Sequence, residues 1–225
     1  MRATAVAADL AYPIVEIPSG DVTLEAELHV PPESRGLIVI ANGSGYSRHD
    51  PRHVLLRSQL EQRRFATLVP DLRTSHEDVF DQPMAKVRFD VALLAERLLA
   101  VREWAQRDWS THLLPIGYFG TGTGAAAAVA AAAQRPSDVF AVASAGGRPD
   151  LAWDLLPQLR APTLLIVGSC DHVMEELNQQ ALQRFRCAAE LRIVPGAGRR
   201  FEAPGAREEM AILATDWFLH YVPHT

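Results

Sequence analysis

The sequence predicts an α/β protein with a mostly parallel, doubly wound sheet and helices on both faces. Three observations carry that prediction. After an opening hairpin, short apolar runs alternate with helix-length segments to the end of the chain, the order that builds parallel strands through crossover helices. Residues 37–41, Leu-Ile-Val-Ile-Ala, are apolar without alternation, as a strand covered on both faces is. A glycine-dense turn over residues 117–124 joins an apolar run to a helix made almost wholly of alanine.

Taken in order, residues 1–12 read as a lead-in and residues 13–225 as one domain, without a linker, repeat or low-complexity boundary. Residues 22–30 alternate, with Val22, Leu24, Ala26, Leu28 and Val30 on one face, which predicts a half-exposed antiparallel strand; Pro31-Pro32 ends it. The strand at 37–41 opens into a flexible loop, Asn42-Gly43-Ser44-Gly45. Pro51 suits the first turn of a helix running to about residue 63. Residues 66–70 form the next buried strand, ending at Asp71, and residues 72–84 read as a polar, irregular surface loop. One long amphipathic helix is expected over 85–106, where Val87, Val91, Leu94, Leu98, Val101 and Ala105 recur at three- and four-residue spacing. Then follow a strand at 113–119, the glycine turn, and the alanine helix, which Pro136 stops. A strand at 139–145, a short helix at 150–156, a strand at 163–167, a helix at 173–185, a strand at 190–194 and a closing helix at 205–221 complete the chain. Ligands of such sheets bind at the carboxyl ends of the strands. The loops at 42–49, 71–84, 120–124, 146–150, 168–172 and 196–202 all fall there.

Composition excludes several classes. With 48% hydrophobic and 22% charged residues and a net charge of −5, the chain is an ordinary globular one and lacks the basic face of a nucleic-acid binder. Two cysteines, Cys170 and Cys187, make no disulfide framework. The N-terminus lacks the apolar core of a signal peptide. The longest apolar run, 124–133, is too short to span a bilayer. The expectation is a cytoplasmic protein without membrane or nucleic-acid partners. The histidines outside the candidate loops show no metal-ligand spacing, so neither metal nor cofactor is expected.

The glycine turn carries the functional question. In G-x-S-x-G, a serine on a strand–turn–helix corner is the nucleophile; here the frame falls on Gly120-Thr121-Gly122-Thr123-Gly124, with glycine in the middle. Gly120 to Ala125 also fits G-x-G-x-x-A, a dinucleotide-loop pattern. That reading wants an acid at the end of the next strand, where Ala143-Ser144-Ala145 stands. Binding of a simple anion at the helix N-terminus remains open.

Further stretches share one pattern: Asn42-Gly-Ser-Gly-Tyr-Ser-Arg-His49, Arg88-Phe-Asp-Val-Ala-Leu-Leu-Ala-Glu-Arg97, Pro115-Ile-Gly-Tyr-Phe-Gly120, Gly146-Gly-Arg-Pro-Asp150, Leu165-Ile-Val-Gly168 with Asp171, and Pro195-Gly-Ala197 with Phe201-Glu202. On these motifs, over roughly residues 13–222, the chain resembles the dienelactone-hydrolase-like branch of the α/β-hydrolase family. More closely, it resembles the small bacterial hydrolases sometimes fused to a phosphoribosyltransferase domain. The resemblance implies an α/β-hydrolase fold without a large lid, and a serine, a histidine and an acid acting on an ester or lactone. It puts the nucleophile position at Gly122, the histidine position at Arg199 and the acid at Asp171, which is retained. Glycine has nothing to attack with, and arginine stays protonated. Asn42 stands where the family has a histidine at the start of the oxyanion loop. The pocket the resemblance implies comprises Asn42, Gly43, Ser44, Arg48, His49, Thr121, Thr123, Cys170 and His172, with the threonine side chains expected to turn away from its interior. Arg199 is expected to pair with Asp171 or to meet an anion, the two not excluding each other.

Three functional readings follow. The first is a degenerate family member that binds a small, anionic ligand or a partner. The second is an active enzyme of the same fold, a hydrolase, lyase or cyclase using Asp171, Arg199 and the oxyanion-loop amides, with Cys170 or His172 as candidate substitutes. The third is a structural interaction protein.

Overall fold

The computed structural model describes residues 12–43, 50–81 and 86–223. Strands β1 (Ile14–Ser19), β2 (Val22–His29), β3 (Gly36–Ala41), β4 (Phe65–Pro70), β5 (Ile116–Gly122), β6 (Val139–Gly147), β7 (Thr163–Gly168) and β8 (Ala189–Val194) form one sheet in the order β1-β2-β4-β3-β5-β6-β7-β8. The hairpin β1–β2 and the β2–β4 pair are antiparallel; from β4 to β8 every pairing is parallel. The chain winds outward from β3 to β4, then returns past β3 to β5 and continues the other way. The crevice at the carboxyl ends of β3 and β5 is therefore the switch point, the place where open parallel sheets bind ligands.

Helices α1 (Pro51–Gln62), α2 (Ser75–Asp81), α3 (Lys86–Phe89), α4 (Val91–Ala105), α5 (Thr123–Gln134), α6 (His172–Leu182) and α7 (Ala206–Tyr221) cover the sheet. Alternate residues of β3 feed two cores. Leu37, Val39 and Ala41 pack with α4 and α5 residues such as Leu94, Leu98 and Ala126 to Ala133. Ile38 and Ile40 pack on the other face with Leu56 and Leu60 of α1 and Met210, Ala214 and Phe218 of α7. The alanine helix is buried from Ala125 to Ala133; its small side chains let it lie between α4 and the sheet. Among the described residues, no helix is long and apolar enough to cross a membrane.

Three expected elements differ. The 72–84 segment contains α2, opened by a reciprocal cap in which Glu77 N donates to Thr74 Oγ1 (3.2 Å) and Thr74 N donates to Glu77 Oε2 (2.8 Å). Thr74-x-x-Glu77 is a capping box. The helix expected over 85–106 is interrupted at Asp90 (φ −77°, ψ 85°), whose carboxylate accepts from Leu93 N (3.0 Å) and starts α4 afresh. Asp favours such side-chain-to-backbone bonds over the helix interior. The expected helix at 150–156 is two single-turn 3-10 segments, Pro149–Ala152 and Leu156–Gln158; Pro157 disfavours α geometry in the residue before it.

Candidate functional site

Strand β5 runs straight into α5 through Gly122, whose dihedrals (φ 52°, ψ −126°) lie where a side chain is disfavoured. Its neighbours are glycines for a different reason, close approach. A Cβ on Gly120 would sit 2.4 Å from Ala125 Cα, and one on Gly124 would sit 2.3 Å from the Ala41 carbonyl oxygen. The end of β3 folds over the same corner. A Cβ on Gly43 would lie 2.4 Å from the Thr121 carbonyl oxygen, and Gly43 N donates to Thr121 Oγ1 (3.3 Å). Asn42 is buried beside it, and among the described residues neither atom of its side-chain amide has a hydrogen-bond partner.

The ends of β6 and β7 complete the site. Arg148 N donates to the Gly122 carbonyl (2.9 Å). Asn178 Nδ2 donates to the Gly147 carbonyl (3.2 Å), which ties α6 to the same strand end. Asp171 is the N-cap of α6, accepting from Met174 N at 3.4 Å. Arg199 arrives on the turn after β8, where the Ala197 carbonyl comes so close to β7 that a Cβ on Gly168 would stand 2.2 Å from it. Arg199 Nε donates to Asp171 Oδ2 at 2.8 Å, and Nη2 lies 3.5 Å from Oδ1. The Asp171 side chain is 12% exposed and that of Arg199 51%.

These elements enclose a cleft of about 150 Å³, lined by Phe89, Gly122, Thr123, Gly146, Arg148, Met174 and Arg199. A second ion pair lies at its wall: Arg148 Nε and Nη2 donate to Asp150 at 2.8 and 2.7 Å. Those bonds to Asp150 raise the pKa of Arg148, strengthening a charge that arginine already keeps. The cleft thus combines two guanidinium groups, each held by a carboxylate, with the N-terminus of a long helix and the apolar walls of Phe89 and Met174. Neither guanidinium is a base that could take a proton from an attacking oxygen near neutral pH.

Of the residues singled out from sequence, Gly122, Thr123 and Arg199 line the cleft, and Asp171 orients Arg199 from behind. Thr123, which begins α5 directly beside Gly122, contributes to the cleft's lining while being 2% exposed. Thr121 is fully buried, as its alternate position on β5 requires, and braces Gly43. Cys170 and His172 are exposed and do not line the cleft. Among the described residues, the Asp171 carboxylate bonds to Met174 N and Arg199 and not to either of these side chains. Ser44, Arg48 and His49 lie outside the described residues. Sequence reasoning did not single out Phe89, Gly146, Arg148 and Met174; Phe89 lay inside one quoted motif, and Gly146 and Arg148 lay together in a quoted loop motif next to a strand end, which was their signal. Among the described residues, no three His, Cys, Asp or Glu side chains gather as metal ligands.

Comparison with known proteins agrees with this fold. The model of the dienelactone hydrolase family matches residues 24–221. The crystal structure of a dienelactone hydrolase from Anabaena variabilis superposes with a TM-score of 0.90 at 43% identity, covering 94% of this chain and 98% of that one. Est1E from Butyrivibrio proteoclasticus shares the fold, with a TM-score of 0.79 at 16% identity over 93% of this chain and 98% of its own. Putative phosphoribosyl transferases from two Mycobacterium tuberculosis strains are 46% identical over 208 residues, 92% of this chain. The chain spans about half the length of these curated relatives, 46%.

Proposed function

This chain belongs to the dienelactone hydrolase family, and we propose that it is a non-hydrolytic, or only very weakly active, member that binds a small anionic ligand in the cleft above Gly122. One observation carries the reading: the Asp171 carboxylate is held by Arg199, Nε to Oδ2 at 2.8 Å, beside a turn that has no side chain at Gly122. Hydrolysis by the family's route needs an oxygen or sulfur nucleophile, a base to take its proton, and an acid to orient that base. In this reading Asp171 keeps its place and orients a cation instead of an imidazole. What remains in the cleft serves binding: a helix N-terminus attracts negative charge, and guanidinium groups pair with oxyanions in fixed geometry. The curated relatives are putative phosphoribosyl transferases, which makes phosphorylated small molecules a ligand class to test.

The test is turnover of a short p-nitrophenyl ester by the wild-type chain and by the Gly122→Ser/Arg199→His double variant. The expected result is no wild-type rate above buffer, with covalent labelling by a fluorophosphonate only in the double variant. Wild-type turnover that Asp171→Asn abolishes would overturn the reading and favour an enzyme working through Asp171 and Arg199.

A further inference from the structure

Strand β8 is one end of the sheet, and among the described residues it pairs with β7 alone. Thr163 N donates to the Ala188 carbonyl (2.9 Å) and Ser169 N to the Val194 carbonyl (3.0 Å). Backbone direction alternates along a strand. Glu190 and Arg192 therefore turn their amide and carbonyl groups to β7 as well, and Ala189, Leu191 and Ile193 turn theirs outward. Edge strands are commonly blunted by lysine, proline, a bulge or a covering element. The β8 sequence, Ala-Glu-Leu-Arg-Ile-Val, holds neither lysine nor proline, and Ile193 is 42% exposed on it. Its two charges, Glu190 and Arg192, are opposite in sign and share one face. Arg192 Nε and Nη2 both donate to Glu190 Oε2 (3.1 and 2.7 Å), which leaves Arg192 Nη1 and Glu190 Oε1 without a partner among the described residues.

We propose that β8 docks antiparallel on the β8 of a second copy of this chain, about a two-fold axis at Leu191, joining two eight-stranded sheets into one. Charge fixes the register. An antiparallel two-fold near the middle of β8 falls on residue 190, 191 or 192. Centred on 190 it sets Glu190 against its own copy, and centred on 192 it does the same for Arg192; like charges directly opposite are destabilising. Centred on Leu191 it sets Glu190 opposite the partner's Arg192, and Arg192 opposite the partner's Glu190. These are non-hydrogen-bonded positions, where side chains of paired strands stand closest. The outward backbone groups of Ala189, Leu191 and Ile193 then make the ladder. Such a contact is isologous and closes on itself, so assembly stops at two copies. Strands β4 to β8 of one copy run opposite to those of the other, so the two clefts open at opposite edges of the joined sheet. A strand of six residues is narrow beside the roughly 20–30 residues a side of a standard interface, which makes the dimer weak and concentration-dependent.

Sedimentation velocity of the wild-type chain at rising concentration, up to millimolar, tests the pairing beside Arg192→Glu, Glu190→Arg and an equal mixture of the two variants. The expected result is a wild-type dimer that each variant alone weakens by roughly tenfold or more, since like charges then face each other on both sides of the axis. The mixture restores the dimer, because unlike charges again stand opposite in the mixed pair. Both positions are exposed, and circular dichroism verifies that the variants keep the fold; should one fail to fold, the other still reads the loss. A wild-type chain that stays monomeric at every concentration overturns the proposal. Dimers that both variants leave intact put the contact on another surface and overturn it as well. Variants that are monomeric alone and stay monomeric when mixed overturn the register at Leu191.

Discussion

Arg199 Nε donates to Asp171 Oδ2 at 2.8 Å across 28 residues of chain, while the same carboxylate caps α6 at Met174 N. Asp171 therefore has two separable duties. Asparagine caps a helix about as well as aspartate but cannot pair with a cation, whereas alanine does neither. Asp171→Ala is expected to lose about 1 kcal/mol more stability than Asp171→Asn. Urea denaturation measures the difference, and equal losses would show that the cap contributes nothing.

Gly122→Ser should lower the melting temperature. A side chain at φ 52°, ψ −126° costs on the order of 1–3 kcal/mol, and each kcal/mol is worth roughly 2–4 °C in a chain of this size. A melting temperature that stays the same or rises would mean that the turn relaxes around serine without strain.

Gly146 meets two constraints at once: its φ is +55°, and a Cβ there would sit 2.6 Å from the Arg199 carbonyl oxygen. Gly146→Ala should destabilise the chain by at least about 1–3 kcal/mol from the dihedral alone and displace the 196–199 turn. A melting temperature lowered accordingly is the expected result. Wild-type stability would refute the contact.

Glu77 links α2 to α4. Arg97 donates to it through Nη1 and Nη2 at 2.7 and 2.6 Å, and these bonds pull the Glu77 carboxyl from its ordinary 4.5 down to about 2. The unfolded chain takes up this proton first, so the contribution to stability is full above pH 4.5 and is lost as pH falls toward about 2. The stability gap between wild type and Glu77→Gln should therefore narrow through that window in acid denaturation. A gap independent of pH would contradict the pairing.

Tyr118 is fully buried, and among the described residues its hydroxyl has no hydrogen-bond partner; burial raises its pKa. An unsatisfied buried hydroxyl costs on the order of 1–3 kcal/mol. Tyr118→Phe should leave stability unchanged or increase it. A clear loss, read by thermal denaturation, would reveal a partner for the hydroxyl.

Most of the sheet was legible in the chain. Residues 37–41 and 66–70 show as unbroken apolar runs because both faces of β3 and β4 are covered, and such burial leaves no room for alternation. The α2 helix was not read, although its capping box stood in Thr74 to Glu77. The segment is short and polar, and its anchor Arg97 is 20 residues away. The break at Asp90 was hidden for the opposite reason: apolar periodicity continues on both sides of a cap, so the pattern of Val87 and Val91 looked like one helix.

At the site, the division follows covalent chemistry on one side and assembly on the other. That residue 122 has no side chain, that residue 199 is a permanent cation and that residue 171 is a carboxylate are properties of the residues themselves, visible in the chain once the strand–turn–helix pattern around 117–124 is recognised. Which side chains share the cleft is another matter. Arg148 reaches it because Gly122 is in register with Gly147 on β6, and Arg199 reaches it because the turn after β8 packs against the end of β7. Phe89 ends α3, directly before the Asp90 cap of α4, and Met174 lies in the first turn of α6, whose start is set by Asp171. A register shift of one residue between the strands would turn their side chains to the opposite face and displace the loops that follow them. Their convergence depends on the whole sheet being assembled, and no local stretch of sequence contains it.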